Sequence, residues 1–294
     1  MNTLNINEVF IPGGMPRTTY VKREHLGIEE RVEEWAEGPH TSLLSVSGPT
    51  KTGKTVLLKR FFPEALWLSG GAIDTAEELW EFICDQLEVF TDHGLSANVG
   101  NEYSASGNAS INAGVARTGG DISNVDSSQR TASRGRKRSN KSAAREALRE
   151  SKLTLIVDDF HYLASEEQVK IIRGVKDLVF EGLPVILVSV PHRAFDAVRV
   201  EKEMTGRLDN ISLGNWVDED LEAIALKGFS ALSMDFSDKT SSRLATESFG
   251  SPHLMQTHCL ALGRLAQKEA AQEHDIEWGE FFSGTSRSLF KNCI

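Results

Sequence analysis

Eight consecutive residues have the types and the spacing needed to bind phosphate groups. They are Gly48, Pro49, Thr50, Lys51, Thr52, Gly53, Lys54 and Thr55. The run fits the pattern G-x-x-x-x-G-K-[ST], whose small end residues let backbone N–H groups wrap the β- and γ-phosphates. Lys54 is then expected to reach the phosphate oxygens, and Thr55 to offer its hydroxyl to a magnesium ion. The pattern predicts a site for a nucleoside triphosphate, ATP with Mg²⁺.

A second, acidic element lies downstream, where the apolar run 153–157 is followed by Asp158 and Asp159. An apolar strand would carry Asp158 to the carboxyl edge of a parallel sheet, where such sheets bind ligands. We therefore predict that Asp158 is the carboxylate on the metal side. Asp159 is the candidate catalytic base that orients the attacking water. The structural alternative is a pair of turn aspartates after a strand.

The elements that must position these residues alternate between strand and helix. Strands are predicted at 42–47, 65–69, 153–158, 183–190 and 210–213. Helices are predicted at about 24–37, 54–62, 75–90 and 165–180, with an extended lead over 1–22 and only helices from residue 218 onward. Thr75 with Glu78, and Ser165 with Gln168, are the expected capping pairs. The alternation predicts an α/β fold with a doubly wound parallel sheet and a small C-terminal helical domain.

Three regions are expected along the chain: a lead and helix at 1–40, a nucleotide-binding core at 41–213 and a helical part at 214–294. The net charge of −10 means that any contact with nucleic acid must be local. Three scattered cysteines without metal-ligand spacing are typical of a reducing compartment. No apolar run approaches the 18 residues of a membrane-spanning helix, and no signal-peptide core is present at the N-terminus. We expect a cytoplasmic protein.

A polar insertion rich in Gly, Ser and Asn interrupts the core at 94–140. A disordered insertion is one interpretation. An amphipathic hairpin at 97–115 is the other, because apolar residues there alternate with polar ones and would share one face. They are Ala97, Val99, Tyr103, Ala105, Ala109, Ile111, Ala113 and Val115. Such a face would bind a partner or a second copy, and its arms approach the length of a membrane β-strand.

A basic run lies beside this insertion. It consists of Arg130, Arg134, Arg136, Lys137, Arg138, Lys141, Arg145 and Arg149. These cations could bind the phosphates of nucleic acid or of a membrane surface. No aromatic residues are interleaved with them to stack on bases, and a solvated helix start is the alternative.

The loop at Gly48–Thr55 and the acidic element at Leu153–Asp159 resemble Walker A and Walker B of the AAA+ and STAND ATPases, over about residues 17–265. The resemblance implies an AAA+-like P-loop core with a helical lid, and a chain that assembles into homo-oligomers. It also implies that Thr19–Glu24 lies near the adenine. Ser189, at the end of the fourth strand, would be the polar sensor, or would simply cap that strand.

Three further residues take roles from the same resemblance. Arg207, just before the fifth strand, corresponds to an arginine finger, and Arg193 to the arginine that closes a STAND motif. Pro252 belongs to a Gly-x-Pro turn of the lid. Each has a structural alternative, respectively an ion pair, a surface position and an ordinary helix start. His253 stands where many AAA+ lids carry a sensor arginine, and we interpret it and His161 as polar structural residues.

Walker B here has Asp159 where AAA+ motors usually have Glu, which favours slow hydrolysis and a switch-like use of ATP. The first functional hypothesis is therefore a nucleotide-dependent assembly switch with an unidentified protein partner, of the kind used in signalling and prokaryotic defence. The second is a DNA-associated regulator resembling transposition ATPases. The third is a nucleotide-gated protein that perturbs membranes through the hairpin at 97–115.

Overall fold

The computed structural model describes residues 4–89, 92–94, 135–190 and 206–270, with the backbone alone at 92–94, 135–137 and 269–270. The predicted hairpin at 97–115 and Arg193 lie outside these residues, as do Arg130 and Arg134 of the basic run. The predicted sheet, the loop and the acidic element lie within them.

The described residues form seven strands. They are β1 Leu43–Ser47, β2 Leu66–Ser69, β3 Asp92–Gly94, β4 Gly135–Lys137, β5 Leu155–Asp158, β6 Val185–Ser189 and β7 Leu208–Ser212. Five of them make one parallel sheet in the order β2-β5-β6-β1-β7. The predicted α/β fold with a parallel sheet is confirmed. The last strand of the sheet begins at Leu208, earlier than the predicted 210, because Leu208 pairs with Leu43 at the start of β1.

Nine α-helices accompany these strands in the described part of the chain. They are α1 Ile6–Val9, α2 Ile28–Glu37, α3 Lys54–Phe61, α4 Ala76–Gln86, α5 Asn140–Ser151, α6 Ser165–Phe180, α7 Asp218–Ala231, α8 Asp238–Thr246 and α9 Pro252–Ala270. The prediction of an uninterrupted extended lead is wrong at α1, which Asn5 and Glu8 close with a reciprocal capping box. Short 3₁₀ turns lie at Glu24–Leu26, Gly70–Ala72 and Phe160–Tyr162.

The two predicted helix caps have different outcomes. The Thr75 side chain accepts a hydrogen bond from the Glu78 amide and caps α4. The prediction that Ser165 and Gln168 cap α6 is wrong, since the N-cap of α6 is Ala164 and has no side-chain hydrogen bond. Instead the Gln168 amide group is buried and donates to the carbonyls of Phe160 and Leu163. It therefore braces the turn that follows Asp159.

Alternate residues of the central strands enter the cores on the two faces of the sheet, as the twofold period of a strand requires. In β5, Leu155 and Val157 pack against α4, α5 and α6, whereas Ile156 packs on the other face with α2 and α3. Burial on both faces explains why these strands are continuously apolar. The register aligns Ser47 with Ser189, so the carboxyl ends of β1 and β6 share one edge.

A third core lies among the C-terminal helices α7, α8 and α9. The start of the chain joins it: Ile6, Val9, Phe10 and Val21 are buried there beside residues such as Phe229. The rings of Phe10 and Phe229 meet edge to face with centroids 5.0 Å apart. The lead therefore packs into the core of the helical part. The division of the chain at residues 40 and 213 stays a prediction.

The polar insertion leaves and re-enters the fold at adjacent points. Asp92–Gly94 and Gly135–Lys137 pair as an antiparallel ribbon, with Gly94 opposite Gly135. The following helix α5 packs against α4 and α6. The ribbon therefore closes the base of the insertion.

Candidate nucleotide site

The glycines of the phosphate loop occupy positions that other residues would not fit. A Cβ atom on Gly48 would lie 2.4 Å from the Leu213 carbonyl oxygen, so a side chain would push the loop away from the strand end. Gly53 has a φ of 95°, a backbone conformation that L side chains rarely adopt. The two glycine positions of the motif thus have a steric reason in this chain.

Lys54 is the first residue of α3, and its side chain is 9% exposed. Its ammonium donates to the carbonyls of Gly48 at 2.9 Å and Pro49 at 2.8 Å. Burial lowers the pKa of Lys54, while Asp158 and Asp159 act against this shift. Neutral carbonyls are weaker acceptors for an ammonium than phosphate oxygens are. A phosphate group in the loop would therefore displace them and fully pair the buried cation.

The two predicted metal-site residues are in direct contact. The Thr55 hydroxyl donates to a carboxylate oxygen of Asp158 at 3.0 Å. Burial raises the pKa of Asp158, and the hydrogen bond from Thr55 opposes that rise. Hydroxyl and carboxylate oxygens are ligands that suit Mg²⁺, which usually takes one or two protein oxygens and completes its shell with substrate phosphates and water. Among the described residues, no group of three or more His, Cys, Asp or Glu side chains is placed to hold a metal ion.

Asp159 follows directly and lies in an unusual backbone conformation. Its φ is 53°, in the left-handed region that Asp tolerates better than most residues. Its amide donates to the Asp158 carboxylate at 2.9 Å, and its side chain is half-buried and lines the same cavity as the loop. The turn thus presents both carboxylates to one space, with only Asp158 tied to Thr55.

A cavity of about 570 Å³ joins the loop to the lead and to the start of α9. This volume lies within the range of ligand pockets. Its lining includes Thr50–Thr55, Asp158 and Asp159. It also includes residues of the lead and of the helical part, among them Ile11, Met15, Tyr20, Val21, Arg23, Ile224 and Gln256. The lead therefore lines the cavity, and its nearness to an adenine stays a prediction.

Pro252 and His253 also line this cavity, at the start of α9. Ser251 accepts a hydrogen bond from the Leu254 amide, so Pro252 holds the N1 position of an ordinary capped helix as well. Burial and the nearby charge of Lys51 lower the pKa of His253. His161 is half-buried and its ring stacks beside Tyr162.

Trp216, which the sequence did not single out, and Arg23, a member of the predicted segment Thr19–Glu24, complete the loop's surroundings. The indole N–H of Trp216 donates to the Thr52 carbonyl at 3.0 Å. The buried guanidinium of Arg23 lies over the other side of that indole, 4.7 Å from the ring centroid, and donates to the Gly214 carbonyl. No sequence pattern links a tryptophan after the last strand to a loop 164 residues earlier, so this contact had no signal in the sequence.

Ser189 lies at the carboxyl ends of the parallel strands, whereas Arg207 lies at their amino ends. Ser189 is 3% exposed at the end of β6, and its carbonyl accepts the Gly48 amide at 3.3 Å, directly below the loop. Arg207 precedes β7 and pairs through its carbonyl with Leu43. That position is about 13 Å along the strand from the loop edge. The Arg207 guanidinium lies 4.6 Å from the centroid of the exposed Phe180 ring. Within one chain, Arg207 therefore stays away from its own loop.

The described side chains of the basic run are largely paired with carboxylates. Arg145 contacts Asp177 at 2.8 Å and Arg149 contacts Glu181 at 2.5 Å. Arg138, which precedes α5, pairs with Glu146 of that helix. The pairs of Arg145 and Arg149 join α5 to the end of α6, and all three pairs occupy charge that a nucleic-acid interface would need. None of the helices that the structure describes is long and apolar enough to cross a membrane.

The sheet order, the loop and the helical part together define the fold of the AAA+ P-loop ATPases. Cdc6p from Pyrobaculum aerophilum is similar, with a TM-score of 0.56 and 14% identity over 90% of this chain and 66% of that one. The ADP form of the Aeropyrum pernix ORC2 protein has a TM-score of 0.56 and 12% identity, over 94% of this chain and 70% of that one. The Thermotoga maritima RuvB Holliday junction branch migration motor has a TM-score of 0.50 and 13% identity, over 92% of this chain and 70% of that one. No family model and no curated protein sequence matches the chain. At these identities the likeness concerns the fold.

Proposed function

We propose that this protein binds ATP with Mg²⁺ on the loop Gly48–Thr55, hydrolyses it slowly, and uses the bound nucleotide to control its assembly into homo-oligomers. The AAA+ fold supports a nucleotide-dependent protein of this class. A role in signal-driven switching, such as prokaryotic defence, is the finer proposal, and it rests on the sequence resemblance to STAND ATPases.

The observation that carries the proposal is the state of Lys54. Among the described residues, the hydrogen bonds of this buried ammonium go to loop carbonyls, at 2.8 and 2.9 Å, and this supports a site that takes an anion. The N-terminus of α3 adds a positive dipole end at the same point, where its backbone N–H groups would face the phosphates.

The acidic side of the cavity supplies the remaining groups for phosphoryl transfer. Thr55 and Asp158 would hold Mg²⁺, which neutralises charge on the phosphates when it is bound. Asp159 would accept a proton from, or orient, the attacking water, as a carboxylate that is not tied to Thr55 can do. Aspartate is shorter than the glutamate of faster motors, which supports slow turnover.

Isothermal titration calorimetry with ATP and Mg²⁺ tests the proposal directly. Lys54→Ala should abolish measurable binding and leave the circular dichroism spectrum unchanged. Lys239→Ala is the matched control, because Lys239 is an exposed lysine of α8 outside the cavity. Equal affinity of the Lys54→Ala and wild-type proteins would overturn the proposal.

The DNA-associated alternative remains a second proposal that needs cations free to contact phosphates. Arg138, Arg145 and Arg149 are paired with carboxylates, which does not favour it. A salt-dependent DNA-binding isotherm would support it. The membrane-perturbing alternative depends on residues 97–115, and leakage of dye from liposomes tests it.

A further inference from the structure

The position of the Asp159 carboxylate is set by the backbone that carries it. In the described part of the chain the Asp159 amide donates to Asp158, and no hydrogen bond or ion pair involves the Asp159 carboxylate. The residue has a left-handed φ of 53° and lines the nucleotide cavity. Because a Cα–Cβ bond has a fixed direction relative to its own backbone, the turn 159–163 decides where this carboxylate points.

This turn is closed by its own backbone and packs closely on a neighbouring one. The carbonyl of Asp159 accepts the Tyr162 amide at 2.9 Å, which closes the 3₁₀ turn Phe160–Tyr162. A Cβ atom on Gly70 would lie 2.7 Å from the same carbonyl oxygen. The turn therefore lies directly against the backbone of Gly70 and has no room to shift toward it.

Gln168 joins the same turn to helix α6. Its side chain is in the first turns of that helix and is 4% exposed. The amide nitrogen donates to the carbonyl of Phe160 at 3.2 Å and to that of Leu163 at 2.8 Å. One side-chain nitrogen thus ties both ends of the 3₁₀ turn to a long helix, and buried hydrogen bonds of this kind make a local structure rigid.

We propose that Gln168 is a positioning residue for ATP hydrolysis, which fixes the turn 159–163 and so holds the Asp159 carboxylate where it can orient the attacking water. The inference rests on the proposed function, and within it on Asp159 as the base. The chemical step depends steeply on the placement of such a group, whereas the phosphates are bound by the loop and Lys54, outside this turn. Loss of Gln168 should therefore slow hydrolysis and leave the affinity for ATP unchanged.

Calorimetry and single-turnover assays with Mg²⁺–ATP test this role. Gln168→Met and Gln168→Leu have side chains of similar size without the N–H donors. Each should bind ATP as wild type does and hydrolyse it about tenfold or more slowly, as expected when a reacting group is misplaced. In an Asp159→Asn background the same substitutions should have no further effect, because the carboxylate that Gln168 positions is gone. Gln86→Met, at an exposed position at the end of α4, is the matched control and should keep the wild-type rate.

The outcomes separate this inference from the function on which it rests. If wild type does not hydrolyse ATP, or if Asp159→Asn hydrolyses it as fast as wild type, the proposed function fails in its hydrolytic part and the inference falls with it. If Asp159→Asn is slow but the Gln168 variants keep the wild-type rate, only the role of Gln168 is overturned. It is also overturned if the Gln168 variants lose affinity for ATP, or slow wild type and Asp159→Asn by the same factor. Two variants keep the test valid if one is unstable, and unfolding of both, by circular dichroism, would assign Gln168 to the stability of the fold and overturn the inference.

Discussion

The indole N–H of Trp216 donates to the backbone carbonyl of Thr52 at 3.0 Å, which joins the start of the helical part to the phosphate loop. Arg23 of the lead covers the same indole. Three distant segments of the chain therefore meet at one ring. Thr52 lies in the middle of the loop and is 2% exposed. A change in loop conformation on phosphate binding would therefore alter the hydrogen bond of the Trp216 indole directly.

Replacement of Trp216 by Phe should weaken ATP binding, because it keeps an aromatic ring under Arg23 but removes the donor that holds the loop. One neutral hydrogen bond contributes about 0.5–1.5 kcal/mol, so the dissociation constant should rise by about two- to tenfold. Trp67→Phe, on β2 and outside the cavity lining, is the control. We also expect the emission of Trp216 to change on addition of ATP, measured as the difference between wild type and Trp216→Phe. An unchanged affinity would mean that the bond does not preorganise the loop.

Asp159→Asn should bind Mg²⁺–ATP normally and slow hydrolysis by about 100-fold, if Asp159 orients the attacking water. The substitution keeps the size of the side chain, and Asn tolerates the left-handed backbone found at this position. Single-turnover assays measure the chemical step without product release. Equal rates for the variant and wild type would remove Asp159 from the list of catalytic residues.

Arg207 is the candidate for a contact between chains, since it lies at the sheet edge opposite its own loop. Arg207→Ala should bind ATP but lose hydrolysis, because a finger stabilises charge on the γ-phosphate of a neighbouring subunit. Mixing it with Lys54→Ala chains should restore part of the activity, since each variant supplies what the other lacks. Either chain alone is the control. Absence of rescue, with co-assembly shown by sedimentation, would argue against a shared site.

The ribbon at the base of the insertion allows a clean deletion. Because Gly94 and Gly135 are paired, an Asn-Gly turn can replace residues 95–134 and close a two-residue hairpin. We expect ATP binding to persist and assembly to weaken. A full-length variant in which Val99, Tyr103, Ile111 and Val115 are all replaced by Ser should show the same behaviour. Light scattering with and without ATP measures assembly. If both variants assemble as wild type does, the prediction is wrong.

The buried histidine of α9 should make stability depend on pH. Burial lowers the pKa of His258, which is 7% exposed and lies 3.2 Å from the Ser248 hydroxyl. Above the ordinary pKa of about 6.5, both folded and unfolded states are neutral and stability is unaffected. As the pH falls below that value, the unfolded state binds the proton first, so the free energy of unfolding decreases. The loss ends once the pH is below the lowered pKa of the folded state.

Urea denaturation between pH 8 and 5 measures this slope. His258→Gln should lower the overall stability but show a smaller decrease on acidification than wild type. His40 and His253, whose pKa values are also lowered by burial, contribute to the slope that remains. Parallel curves for the variant and wild type would show that His258 does not carry this dependence.

The sequence by itself determined the phosphate loop, the strand before it and the helix after it, because all three depend on residues within a short stretch. Gly48 and Gly53 must be small where the backbone turns, and the apolar strands read as continuous runs because both faces of the sheet are covered. The same local logic predicted that Asp158 would stand at a strand end, and the parallel sheet then placed it beside Thr55.

Other features were decided only by the tertiary structure, because they depend on contacts between residues far apart in the chain. Helix α1 is too short to be stable alone and is held in the core of the C-terminal helices. From the sequence, the arginines of α5 were candidates to bind phosphates. In the structure, Arg145 and Arg149 pair with carboxylates at the end of α6. Glu29 is one of several acidic residues of helix α2, and its burial beside Tyr20 follows from the packing of the lead on that helix. Periodicity specifies which face of a helix is apolar, but it does not specify what packs against that face.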